Sequence, residues 1–189
     1  MAFEQPRELT DPLTMRALAH PVRLSLLEAL TIHGQLTATQ AGELVGESPA
    51  NASFHLRQLA KYGFVEEAEG GSGRRRPWRA VSIGTQFSDV HEDTETALAA
   101  GALARVIGER LLERARVGLE QGRLLPDEWR AVLGTSDMTR YVTPEEMRAI
   151  GDEVLEVLWR YRDRVADPSK RPEGSRPIQA AVLAYPIEP

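Results

Sequence analysis

Amide, hydroxyl, imidazole and guanidinium groups recur between residues 48 and 61. Asparagine and glutamine can pair with adenine, arginine with guanine or a phosphate, and phenylalanine can contact a thymine methyl group. An apolar stripe at Ala52, Leu56 and Leu59 predicts a helix that turns these groups to its other faces. The residues expected to contact DNA on this helix are Ser48, Asn51, Ser53, Phe54, His55, Arg57, Gln58 and Lys61.

A second cationic cluster follows this helix. Arg74, Arg75 and Arg76 follow the turn-forming stretch 70–73 and stand between two short patterns typical of strands, and Arg79 lies within the second pattern. At the tip of a hairpin these arginines would lie along the DNA backbone or in the minor groove, where arginine is favoured. Alternatives remain at both places. The cluster can be a solubilising loop, Phe54 can pack against the preceding helix, and His55 can be structural.

The elements that position these groups are marked by capping residues and prolines. Asp11-Pro12 starts a helix that ends near Ala19, and Pro21 starts one that ends near Gly34. Thr37 or Thr39 caps a short helix to Val45, and Ser48-Pro49 starts the helix that runs to Tyr62. Strands are expected at 64–68 and 78–82. This order predicts a winged helix-turn-helix domain at residues 11–82 in a mainly α chain with a small β wing.

The remaining residues, 89–189, are expected to form a helical region for dimerisation. A long helix at 92–121 carries an apolar face, and a two-fold DNA site favours a two-fold protein. Shorter helices are expected at 126–134 and 143–165, with a strand at 178–185 for which 138–142 is a candidate partner. An alternative to ordinary core packing here is a pocket for a small-molecule effector. The dimer interface is expected at Leu98, Leu103, Val106, Ile107 and Leu111.

Composition limits the functions open to the chain. The net charge is −5, but residues 1–82 hold nine cationic and nine acidic side chains, so all of the excess lies beyond them. Binding to DNA needs only a local basic surface. Cysteine is absent, which excludes disulfides and thiolate sites. No apolar run approaches the ~20 residues of a membrane span, and no signal peptide is visible, so a cytoplasmic location is expected.

The stretch from Ser48 to Val65 resembles the recognition helix of the ArsR-type family of bacterial winged-helix repressors. The matching positions include Ser53, His55, Leu56 and Leu59, followed by Gly63-Phe64. Residues 19–27 resemble the opening of that family's second helix, so the resemblance covers roughly residues 13–82. It implies a homodimer that binds an operator in double-stranded DNA and represses transcription.

Many members of this family sense metals, so a metal site has to be considered. His91 stands with Asp89, Glu92 and Asp93, but no second histidine lies further along the same helix. A zinc or nickel site needs three or four converging ligands. We therefore expect these acids to start a helix, and we expect no metal or cofactor. The sequence also lacks a nucleophile–base pair or a phosphate loop, so no enzyme is expected. A winged helix that binds protein is the alternative function.

Overall fold

The computed structural model describes residues 6–71, 76–88 and 90–187. The described residues divide into two compact units, one within residues 6–140 and the other within 141–187. The fold is mainly α with small two-stranded sheets, as predicted. The division at residue 141 differs from the predicted boundary near residue 89, because the long helix belongs to the first unit.

The first unit contains six helices and four short strands among its described residues. In chain order they are β1 (Arg7–Glu8), α1 (Pro12–Leu18), α2 (Pro21–His33), α3 (Ala38–Val45), α4 (Pro49–Lys61), β2 (Val65–Glu67), β3 (Trp78–Ala80), β4 (Thr85–Gln86), α5 (Thr94–Gly122) and α6 (Asp127–Arg130).

The helix boundaries follow the caps that the sequence predicts. The Asp11 carboxylate accepts a hydrogen bond from Thr14 N at 2.8 Å, and Ser48 Oγ accepts one from Asn51 N at 3.2 Å. Thr37 rather than Thr39 caps α3, through a capping box with Gln40. Such caps satisfy backbone donors that the first turn of a helix leaves free.

The core lies between α1, α2, α3, α4 and the first half of α5. It contains Leu26, Leu56, Leu59, Phe64 and Leu103, all of them fully buried. Trp78 of β3 joins this core, and its backbone pairs with Leu36 ahead of α3. Burial of these apolar side chains is the main force that fixes α4 against its neighbours.

Two sheets of two strands complete the first unit. β2 and β3 are antiparallel, with Val65 opposite Ala80 and Glu67 opposite Trp78, which confirms the predicted hairpin. β1 and β4 pair in parallel, with Arg7 opposite Thr85. The second sheet was not predicted, because two-residue strands carry no alternating pattern.

Helix α5 packs its first half against α1. Thr96, Ala99, Ala100 and Leu103 are buried there, and Asp93 caps the helix by accepting from Thr96 N at 2.7 Å. The small alanines allow the two helices to approach closely. Helix α6 is only four residues long, which is shorter than the predicted helix at 126–134.

The second unit is described at residues 141–187. It contains α7 (Pro144–Trp159), α8 (Asp163–Ala166) and a 3₁₀ turn at Pro168–Lys170. The prediction of one helix to Val165 is wrong. The backbone tightens to i→i−3 hydrogen bonds after Trp159, and the Arg162 guanidinium donates to the Trp159 carbonyl at 3.2 Å.

The predicted strand at 178–185 and its partner at 138–142 are also wrong. Neither segment forms a strand, and Val182, Leu183 and Tyr185 are more than half exposed. Apolar composition alone does not make a strand, because a strand needs a partner for its backbone.

Candidate nucleic-acid interface

Helix α4 has one buried and one exposed side. Ala52, Leu56 and Leu59 are fully buried against the core, as the apolar stripe predicts. The other side, which we call the outward face of α4, carries polar, cationic and aromatic groups. The outward face consists of Asn51, Ser53, Phe54, Arg57, Gln58 and Lys61, of which Phe54, Arg57 and Lys61 are exposed and the others half-buried.

The structure therefore brings most of the predicted contact residues together on one surface. Ser48 stands exposed at the N-cap, one turn ahead of the outward face. The Arg57 guanidinium donates to Ser53 Oγ at 2.7 Å, one turn earlier on the same helix. The Phe54 ring is 49% exposed, so it is not used as a packing contact against α3.

Asn51 is held by Glu47, which the sequence pattern did not single out. Its side-chain nitrogen donates to the Glu47 carboxylate at 2.6 Å, and both residues are half-buried. The spacing of four residues was a usable signal, because groups at i and i+4 meet along a helix and its first turn.

His55 does not belong to the outward face. Its side chain is buried, and its ring lies 4.6 Å from the ring of His20 and 5.2 Å from that of Phe54, between centroids. The helical period explains this placement, since residue 55 points between Ala52 and Leu59. Of the two interpretations left open for His55, the structure favours the structural one, so we no longer count it among the DNA-contacting residues.

The two histidines share an environment that favours their neutral form. Burial lowers the pKa of His20, and the nearby Arg23 lowers it further. The same two causes, in the same order, lower the pKa of His55, while Glu47 acts in the opposite direction on both rings. The Nδ1 atom of His55 is buried without a hydrogen-bond partner among the described residues.

A close approach between α3 and the turn before α4 sets the angle of α4. A Cβ atom on Gly42 would lie 2.7 Å from the carbonyl oxygen of Glu47 and 3.2 Å from the Cβ of Ala52. Glu47 N also donates to the Gly42 carbonyl at 2.9 Å. The absence of a side chain at residue 42 therefore lets the helix-turn-helix close.

The wing carries acids that partly offset its arginines. Arg76 pairs with Glu67 and Arg79 with Glu66, each at 2.8 Å, across β2 and β3. The antiparallel register places these side chains opposite or diagonal to each other. Arg74 and Arg75 lie outside the described residues.

Arg7 lies near the end of α4, outside the predicted domain. Its guanidinium stacks over the Phe64 ring at 4.4 Å from the centroid and lies next to Gly63. Burial lowers the pKa of this guanidinium. The sequence did not predict this contact, because Arg7 is far from α4 in the chain and no pattern links it to residues 48–65.

The predicted dimer residues fall into two groups. Leu98 is 67% exposed, and Val106 and Leu111 are half-buried. Leu103 is fully buried in the core of its own chain, and Ile107 packs against the same core. The prediction that Leu103 faces a partner subunit is therefore wrong, because one side of α5 is needed to cover α1.

Of the acids ahead of α5, Asp93 caps the helix. Hydrogen bonds from Thr96 hold the pKa of Asp93 below its ordinary value, and His91 Nε2 lies 2.6 Å from the Ser88 carbonyl oxygen. No group of three or more candidate metal ligands occurs among the residues that the structure describes, and Asp89 is not one of these.

Comparison with known proteins identifies the domain type. A family described as "Helix-turn-helix domain" matches residues 18–68, which span α2, α3, α4 and β2. No curated protein matches the chain. Among solved structures, a MarR family regulator from Neisseria meningitidis is 17% identical, with 76% of this chain and 78% of that chain covered at a TM-score of 0.33.

The chain thus contains a helix-turn-helix domain followed by a two-stranded wing. This assignment depends on the family match and on the arrangement of α2, α3, α4, β2 and β3. In the described part of the chain, no helix has the length and apolar character needed to cross a bilayer.

Proposed function

We propose that this protein is a DNA-binding transcriptional regulator that uses α4 as its recognition helix. The outward face of α4 is the observation that carries the proposal. It presents two amides, a hydroxyl, two cations and a half-exposed aromatic ring on a helix that is fixed from behind by a buried core. These groups can bind base edges and phosphates.

In the proposed complex α4 lies in the major groove, as recognition helices of this motif do. Asn51 and Gln58 contact base edges, and Ser53, Arg57 and Lys61 contact bases or phosphates. Phe54 offers its ring to a thymine methyl group. Pro49 has no N–H and the Asn51 N–H donates to Ser48 Oγ, so a phosphate at the start of the helix would be bound through the N–H of Ala50.

The wing is proposed to contact the DNA backbone through Arg74, Arg75, Arg76 and Arg79. Arg76 and Arg79 would have to exchange Glu67 and Glu66 for phosphates. Both ion pairs are partly exposed, and such pairs contribute only about 0–1 kcal/mol, so this exchange costs little.

A homodimer and a repressor of the ArsR type are the finer parts of the proposal. Leu98, Val106 and Leu111 stay as interface residues, and the strongly exposed Leu112 and Leu119 lie further along α5. A dimer would place two copies of α4 about one helical turn of DNA apart. Repression and ArsR membership follow from the resemblance of residues 13–82 alone.

A protein-binding winged helix is the second candidate. The ion pairs of Glu66 and Glu67 with the wing arginines favour it, because they reduce the cationic charge that DNA would meet. The two candidates differ in their response to DNA, so one experiment separates them.

The test is a selection of bound sequences from random duplex DNA with the full chain, at two salt concentrations. We expect an enriched inverted repeat whose affinity falls with salt by ~0.9 in log K per phosphate neutralised. If no sequence is enriched and no salt-dependent binding is found, the proposal is contradicted and a protein partner is favoured.

The variant Arg57→Ala locates the binding surface. We expect it to weaken binding to the selected duplex by roughly tenfold, because charge-assisted contacts are lost. Arg116→Ala is the matched control, since Arg116 is an exposed arginine on α5 that pairs with Glu113 and Glu120. Equal affinities of the two variants would exclude α4 as the recognition helix.

Dimerisation is tested separately by sedimentation of Leu98→Asp. We expect monomers, because a charge in an apolar interface is costly. Leu124→Asp is the control, on an exposed leucine beyond α5. A Leu98→Asp variant that sediments as the wild type would place the interface elsewhere.

A further inference from the structure

The hydrogen bond between Glu47 and Asn51 fixes which way the Asn51 amide points. Asn51 Nδ2 lies 2.6 Å from Glu47 Oε2. An ionised carboxylate only accepts hydrogen bonds, whereas the asparagine amide has a donor end and an acceptor end. The nitrogen must therefore face Glu47, because the oxygen would be repelled by it.

The position of the pair makes this orientation useful. Ser48 Oγ caps the backbone of the same residue, Asn51, so both its main chain and its side chain are held. Glu47 is itself held, since its backbone nitrogen donates to the carbonyl of Gly42 across the tight turn. Asn51 thus sits in the first turn of α4 with little freedom to rotate its amide.

The held amide keeps one free donor and one free acceptor. Nδ2 carries two hydrogens and uses one for Glu47, and Oδ1 accepts no hydrogen bond from any described residue. One remaining N–H beside one C=O is the pair of groups that adenine matches in the major groove, with N7 as acceptor and its N6 amino group as donor.

We infer that Glu47 is a positioning residue for base recognition, which orients Asn51 to bind adenine at one base pair of the site. This inference depends on the proposed function. Glu47 need not contact DNA, and its negative charge would lower affinity for phosphates in general. Its contribution is to specificity, because an Asn51 amide free to turn over would accept other base edges.

The test compares base preferences of the wild type, Asn51→Ala, Glu47→Ala and the double variant, by selection from random duplex DNA. An oriented bidentate contact discriminates between bases by roughly 5- to 150-fold. We expect Asn51→Ala to relax one A·T position. Glu47→Ala should lower the preference for A·T at the same position by roughly tenfold, and the double variant should have the base preference of Asn51→Ala.

Glu43→Ala is the control for charge. Glu43 is an exposed acid on α3, and it is Glu47 rather than Glu43 that accepts from Asn51. Loss of an acid near DNA raises affinity for every sequence, so Glu43→Ala should bind more tightly with an unchanged preference. Thermal unfolding by circular dichroism confirms that each variant is folded.

A second variant keeps a hydrogen-bonding side chain at both residue 47 and residue 51. The exchange Glu47→Gln with Asn51→Asp keeps the charge and allows the hydrogen bond in reverse, but residue 51 then presents only acceptors. We expect adenine to lose its enrichment at that position, and cytosine, whose N4 group donates, is the favoured replacement.

Three outcomes would overturn the inference. Glu47→Ala can keep the full preference for adenine, it can relax a different base pair from Asn51→Ala, or the exchanged pair can still select adenine. Failure of the wild type to select any sequence is a different result, because it would contradict the proposed function itself.

Discussion

Helices α4 and α7 begin in the same way and are packed very differently. Each starts with a hydroxyl N-cap followed by proline, Ser48-Pro49 in one and Thr143-Pro144 in the other. Helix α4 buries Ala52, Leu56 and Leu59 completely, whereas α7 buries no side chain, and Val157 and Leu158 on it are 56% and 43% exposed. Local signals set where a helix starts, but its neighbours decide what it buries.

The difference follows from what each helix packs against. Helix α4 contacts α2, α3 and β2, so its apolar stripe has surfaces on several sides. Among the described residues 141–187, no side chain is buried. A core that holds a helix in place also holds the groups on its other side, which is why the outward face of α4 is a candidate site.

We expect the largest difference between α4 and α7 when an apolar side chain is shortened to alanine. Leu56→Ala should destabilise the protein by about 2–5 kcal/mol, since it leaves a cavity in a fully buried position. Leu158→Ala should change the free energy of unfolding by less than about 0.5 kcal/mol, as for other surface positions. Urea unfolding followed by circular dichroism measures both. A large effect of Leu158→Ala would mean that α7 is packed in solution.

Glycine-to-alanine substitutions should change the stability of the two regions in opposite directions. Gly42→Ala should destabilise by about 1–3 kcal/mol, because its Cβ would collide with the Glu47 carbonyl. Gly151 lies in α7 with no atom near its would-be Cβ, so Gly151→Ala should stabilise that helix by up to about 1 kcal/mol. Destabilisation in both variants would show that α7 also has a close neighbour.

Breaking the polar contacts between α5 and α2 should lower the free energy of unfolding by an intermediate amount. Arg110 donates to Ser25 at 2.7 Å and to Glu28 at 2.5 Å, and Arg114 also pairs with Glu28. Glu28→Ala should destabilise by about 1–3 kcal/mol, since two half-buried guanidinium groups lose their partner. The control Glu113→Ala breaks an exposed pair and should cost less than about 1 kcal/mol. Similar urea midpoints for both variants would contradict a structural role for Glu28.

The smallest expected effect is on pH dependence. His20 and His55 have lowered pKa values in the folded chain, mainly because of burial, so the unfolded chain binds their protons more readily. Their contribution to stability is full above the ordinary histidine pKa of about 6.5 and is lost as the pH falls below it. Each group adds a slope of at most about 1.4 kcal/mol per pH unit.

Urea unfolding between pH 5 and pH 8 measures that slope. The variant His55→Gln should flatten it, because it removes one of the two rings whose pKa is lowered by burial. Residues 141–189 contain no histidine, so the contribution of histidines to this pH dependence comes from the first unit. An unchanged slope in His55→Gln would show that the pair does not titrate in this range.

Much of the first unit could be predicted from the sequence because its signals are local. The caps at Asp11 and Ser48, the glycine at residue 63 and the apolar stripe of α4 each act within a few residues. The burial of His55 and Leu103 and the pairing of β1 with β4 depend on distant parts of the chain. The strand predicted at 178–185 failed for the same reason, because a strand is defined by its partner.

In the candidate site, too, some features follow from local sequence signals and others depend on contacts that such signals do not set. The outward face of α4 is a consequence of helical period and was predicted. The four-residue spacing of Glu47 and Asn51 was a signal for their hydrogen bond, whereas the ion pairs of the wing and the stacking of Arg7 on Phe64 depend on side-chain positions that periodicity does not fix.

The most direct measurement is hydrogen–deuterium exchange of the full chain with and without the duplex that the selection enriches, or a mixed-sequence duplex at low salt. We expect DNA to slow exchange in peptides from residues 48–61 and from the wing, and to leave residues 144–159 unchanged. Slower exchange in 144–159 without any change in 48–61 would contradict this expectation, because DNA would then bind the other unit of the chain.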